Sequence, residues 1–84
     1  MKYRKRPIIV EARQLTTKNW GELQDWINAN GGCAHLGSGD ISVLIRTLEG
    51  LLRADLGDWI IRGVKGEFYP CKPDVFAATY ELVE

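Results

Sequence analysis

The chain has 84 residues, 11 basic and 11 acidic side chains, a formal net charge of zero and 45% hydrophobic residues. These values fit one small globular domain and exclude wholesale disorder and a strongly basic nucleic-acid coat. Two cysteines and one histidine exclude a self-contained zinc finger built from four such ligands.

The opening Met1-Lys2-Tyr3-Arg4-Lys5-Arg6-Pro7 is basic, but only Ile8-Ile9-Val10 follows before Glu11 and Arg13 interrupt. A secretory signal needs an apolar run of about 7–15 residues at that point. No apolar run approaches the roughly 18 residues that span a bilayer. The expectation is a cytoplasmic protein with no membrane partner. Lys2, Arg4, Lys5 and Arg6 form a candidate phosphate-contacting arm, whose binding to nucleic acid would weaken with salt. The plainer reading of the same charges is an edge strand guarded against sheet-to-sheet association.

Residues 8–15 alternate and predict a first strand, with Ile8, Val10 and Ala12 facing inward and Glu11 and Arg13 outward. Asn19, with Glu22 three residues on, predicts a capped helix start. Trp20, Leu23, Trp26 and Ile27 then make an apolar stripe at helical spacing. Gly31-Gly32 ends that helix, since glycine accepts the left-handed conformation past the last turn. Everything after Gly32 reads as strands and tight turns: 33–36, 41–48, 51–54, 59–62 and 67–71, with bends at Gly37–Asp40, Glu49-Gly50, Leu56-Gly57-Asp58 and Gly63–Gly66. Pro70 marks a sheet edge or strand end. Lys72 to Phe76 reads as one helical turn, with Pro73 at its first position and Asp74 at its positive end. Residues 80–83 predict a last short strand. Hairpins this tight force antiparallel pairing. The predicted class is α+β: one small, strongly bent antiparallel sheet, open or partly closed into a barrel, with one helix after the first strand.

Residues Gly57 to Tyr80 carry the strongest local signal, Gly-Asp-Trp-Ile-Ile-Arg-Gly-Val-Lys-Gly-Glu-Phe-Tyr-Pro-Cys-Lys-Pro-Asp-Val-Phe-Ala-Ala-Thr-Tyr. Together with the Met-Lys-Tyr-Arg-Lys start, this block resembles a family of short bacteriophage and prophage proteins. The matching parts, Met1 to Val10 and Gly57 to Glu81, cover about two fifths of the chain. The family usually has proline before the Gly-Asp pair, where this chain has Leu56. The resemblance implies a phage or prophage origin and a location in the host cytoplasm. It brings no reaction, cofactor or metal with it.

Within the block, Trp59, Ile61 and Phe68 read as core, Asp58 as a turn cap, and Phe76 and Tyr80 as anchors of the chain's end. Arg62, Lys65, Glu67, Tyr69 and Lys72 are harder to read as core. A cation beside a tyrosine ring suits a flat anionic ligand such as a nucleotide, so these five are candidate ligand-binding residues. A solvated strand face is the plainer account. Cys33 and Cys71 read as free thiols in a reducing compartment. His35 shares a strand face with Cys33, but no third group completes a metal or nucleophile site. Asp40, Asp55 and Asp58 lie in separate loops and read as turn formers. No glycine-rich phosphate loop or paired-histidine metal motif is present in the sequence. The expectation is a non-catalytic binding module acting as a small homo-oligomer, with a host protein or a small anionic molecule as ligand. Its alternative is a nucleic-acid-binding accessory protein that uses the basic arm.

Overall fold

Alternating apolar positions hold the strands, and a computed structural model describes residues 1–4 and 6–83. Among the described residues the elements run β1 (Glu11–Gln14), α1 (Trp20–Ala29), β2 (Ala34–Leu36), β3 (Ser42–Thr47), β4 (Gly50–Asp55), β5 (Trp59–Arg62), β6 (Phe68–Cys71) and α2 (Pro73–Thr79). They form two antiparallel three-stranded sheets, ordered β1-β5-β6 and β2-β3-β4. The α+β class and the helix after the first strand agree with the sequence. The single bent sheet and its closure into a barrel do not: there are two sheets, and neither closes. One physical reason is that edges are finished without strand pairing. The Asn28 side chain accepts from Ala34 N at 2.8 Å and donates to Ala34 O at 3.2 Å, so α1 caps the β2 edge. Pro70 in β6 has no N–H to give.

Helix α1 buries the expected stripe. Leu23, Trp26 and Ile27 are buried, and Trp20 packs at the margin with its indole N–H donating to Ser42 O at 2.7 Å. The capping box does not form. Asn19 Oδ1 accepts instead from Thr16 N at 2.8 Å, and its Nδ2 donates to Gln14 O at 2.7 Å, which ties the loop after β1. The far end stops as expected: Gly31 takes φ +88°, and Gly32 N donates to Ile27 O at 2.9 Å.

The main core lies between α1 and the inner faces of both sheets. Leu15, Leu23, Trp26, Ile27, Ala34, Val43, Ile45, Ala54, Ile60 and Phe68 form it. Trp26 and Phe68 meet edge to face at 5.1 Å. β5 is the middle strand of its sheet, and both its faces are covered. Ile60 enters the main core, while the fully buried Ile61 points the other way. On that outer side Trp59 stacks on Phe76 of α2 at 4.0 Å and 6°, and Phe76 stacks on Tyr80 at 5.1 Å. Trp59 is therefore half-buried rather than core, and Ile60 takes the central place.

Three element boundaries differ from the sequence. β1 starts at Glu11, because its ladder with β5 ends at the Glu11–Arg62 pair. Ile8 and Ile9 are exposed, and Leu15, just past the strand, is fully buried. The single turn at 72–76 is a seven-residue helix, α2. Residues 80–83 pair with no strand and have no regular structure.

Candidate functional site

The five candidate ligand-binding residues occupy different parts of the molecule. Arg62 stands opposite Phe68 and Ile61 opposite Tyr69, so alternation sends Arg62 and Tyr69 to opposite faces of the sheet. The Arg62 guanidinium lies 5.9 Å from the Phe68 ring and 3.9 Å from a Glu11 carboxylate oxygen. The Tyr69 hydroxyl lies 3.5 Å from that of Tyr80. Burial, reinforced by Tyr80, pushes the Tyr69 phenol up to about 12. Lys65 is exposed in the β5–β6 turn, and Glu67 folds back over Gly63. Lys72 stands at the start of α2, with Nζ 2.9 Å from Asp58 Oδ2 and 3.4 Å from Asp55 Oδ2. Glu67 and Tyr69 line both grooves described below, whereas Arg62, Lys65 and Lys72 line neither.

A charge cluster that the sequence did not announce sits beside Lys72. Arg53 of β4 pairs with Asp40 and, at 2.6 Å, with Asp55, and Lys72 then links Asp55 to Asp58. The three aspartates read as separate turn formers thus meet through two cations. Arg53-x-Asp55 on one strand, with Asp58 three residues on, was the available signal. The Arg53 hydrogen bond holds the Asp55 carboxyl below its ordinary range. The Asp58 hydrogen bond raises the Lys72 ammonium. Asp58 is buried, and its Oδ2 also accepts from Asp55 N at 2.9 Å, so it caps the bend as expected. The charges answer one another, and the cluster fastens turn, strand and helix.

Of the basic arm, Lys2, Arg4 and Arg6 are exposed and form no ion pair among the described residues. Lys5 lies outside the described residues. Cys33 and Cys71 are free thiols. Cys33 Sγ lies 3.8 Å from His35 Nε2 on an exposed edge, and no group of three metal-ligating side chains occurs among the described residues. Burial, then the nearby Asp58 and Asp74 charges, push the Cys71 thiol up. Among the described residues no helix is long and apolar enough to cross a membrane.

Two grooves open at the ends of the sheets. One, of about 700 Å³, runs from Gly32 and Cys33 past Arg46 and Leu52 to Phe68 and Pro70. The other, of about 590 Å³, lies between the arm and the chain's end, walled by Arg6, Ile8, Val10, Tyr69, Tyr80 and Val83. Apolar side chains gather round the second groove and face solvent. Ile9 is 80% exposed, and Val64, Val83 and Ile8 are also exposed. No family model, curated protein or solved structure matches this chain.

Proposed function

We propose that the chain is a non-catalytic binding module that works as a small homo-oligomer and docks protein rather than transforming a small molecule. One observation carries this reading. Ile8, Ile9, Val64 and Val83 stand exposed together around one groove, and apolar surface concentrated in this way marks interaction sites. The small core of an 84-residue chain adds to it, because association supplies burial that one copy lacks. The separation of Arg62, Tyr69 and Lys72 favours a protein partner over a nucleotide. The resemblance of the opening and closing blocks to phage and prophage proteins supports a host protein as the further ligand and the host cytoplasm as the site of action. Sedimentation of the purified chain tests the first half: a discrete oligomer at about 50 µM is expected, and a strict monomer overturns it.

A second reading has its own observation. Lys2, Arg4 and Arg6 project with no acidic partner among the described residues, as an arm gripping nucleic-acid phosphates requires. Binding to a DNA duplex should then fall steeply between low and physiological salt and vanish when these residues are reversed in charge. A salt-independent binding curve rejects it.

A further inference from the structure

We propose that the free edge of β1 pairs antiparallel with the same edge of a second copy, about a two-fold axis through Ala12. This deepens the homo-oligomer reading and rests on it. Two three-stranded sheets would join into one six-stranded sheet ordered β6-β5-β1-β1-β5-β6.

The four sheet edges differ in how they are finished. The outward groups of β2 at Ala34 are both taken by the Asn28 amide. β6 carries Pro70, which denies the ladder a donor. β4 lies in contact with β6 of the other sheet. β1 pairs with β5 on one side; on the other, among the described residues, the Asn19 amide takes Gln14 O at 2.7 Å, while the outward backbone groups of Val10 and Ala12 have no partner.

Backbone direction then limits the register. Leu15 N donates to Asp58 O at 2.8 Å, and Leu15 O accepts from Gly57 N at 2.9 Å, so Leu15 turns both groups toward the β5 side. Alternation along an antiparallel strand puts Glu11 and Arg13 in the same sense. Val10 and Ala12 therefore aim N–H and C=O outward, so even residues of one copy stand opposite even residues of the other.

Charge then selects the centre, since Glu11 or Arg13 on the axis would face its own like-charged copy. With Ala12 on the axis, Glu11 of each copy stands opposite Arg13 of the other, in the close non-hydrogen-bonded positions where cross-strand pairs interact most. With Val10 on the axis, Glu11 would face the apolar Ile9. Glu11 and Arg13 are both exposed, at 48% and 46% of their side chains, and within one chain they pair at 3.2 Å. An exposed in-strand pair of that kind is weak, whereas Arg13 also lies over the Trp26 ring at 4.3 Å and Glu11 lies 3.9 Å from Arg62, contacts that the cross-strand pairs must keep or replace. Like-signed edge charges would repel a second copy, whereas this opposite-signed pair is complementary to itself.

The test is a charge swap with sedimentation equilibrium on the full chain, alongside amide exchange of the wild type. E11R and R13E should each weaken the dimer by about tenfold or more, and E11R/R13E should return it to within about threefold of wild type. The Ala12 amide should gain protection as protein concentration rises. A wild-type dimer that neither single variant weakens, with Ala12 exchange independent of concentration, overturns the edge pairing and leaves the homo-oligomer reading standing. A wild type that stays monomeric at about 100 µM overturns both. Should the single variants fail to fold, the wild-type Ala12 exchange decides by itself.

Discussion

Gly32 occupies a place where a side chain has no room. A Cβ there would lie 2.5 Å from Ile27 Cγ2 and 2.8 Å from Phe68 Cδ2, both in the packed core. Gly32→Ala should therefore cost about 1–3 kcal/mol by overpacking, read as a lower denaturation midpoint at unchanged slope. Gly21 in α1 has open space around its Cβ position, so Gly21→Ala should instead stabilise by about 0.5–1 kcal/mol through helix propensity. The two variants make the same chemical change with opposite sign. Tyr69 gives a second prediction at this scale. Its phenol titrates at about 12 in the folded chain, above the ordinary 10.0, because burial opposes the phenolate. A folded value above the unfolded one means that the contribution is complete below pH 10 and is lost as pH rises toward 12. Absorbance at alkaline pH should show one tyrosine ionising late, together with loss of structure, and Tyr69→Phe should remove that late step.

The bend between β4 and β5 shows how an element is fixed. Asp58 N donates to Asp55 O at 2.9 Å and Gly57 takes φ +92°, which defines a turn with a left-handed third residue. Leu56 is its second residue, is exposed, and donates no described backbone hydrogen bond. Proline is preferred there, so Leu56→Pro should stabilise by about 0.4–1 kcal/mol and raise Tm by a few degrees. This turn, α1 and β5 were legible in the sequence because each rests on local chemistry: a glycine with positive φ, a stripe at helical spacing, a short β-branched run. Elements that depend on a distant partner were less legible. Residues 80–83 alternate like a strand but pair with none. Residues 8–10 look like β1 but run past the end of β5. Asn19 has the right chemistry for a cap, yet it bonds the loop before it. The candidate ligand cluster failed to gather for a related reason: strand parity sends Arg62 and Tyr69 to opposite faces, and Lys72 is claimed by Asp58 and Asp55.

Across the whole molecule, the two sheets are joined by packing on one side and by charge on another. Asp58 is the pivot of the charged connection, since its buried carboxylate serves the Asp55 amide of one sheet's edge and the Lys72 ammonium beside the other. Asp58→Ala strands the Asp55 N–H and should cost about 1–3 kcal/mol in chemical denaturation, and Asp58→Asn, which keeps an acceptor, should cost less. Asp55 adds a pH dependence of known sign. Its carboxyl lies below the ordinary range in the folded chain, so its contribution is present above pH 3.8 and fades as acid protonates it. The layers themselves are unequal. The inner layer is a packed core, whereas α2 covers the outer face without one buried residue of its own, held by the Phe76 stack on Trp59 and the Lys72 latch. A seven-residue helix does not persist in water unaided. Such a molecule comes apart in stages: α2 lifts as a separate cooperative unit while α1 and both sheets hold. The Phe76 and Tyr80 amides should then exchange with solvent hydrogens orders of magnitude sooner than those of β5, and Trp59 emission should change before the core melts.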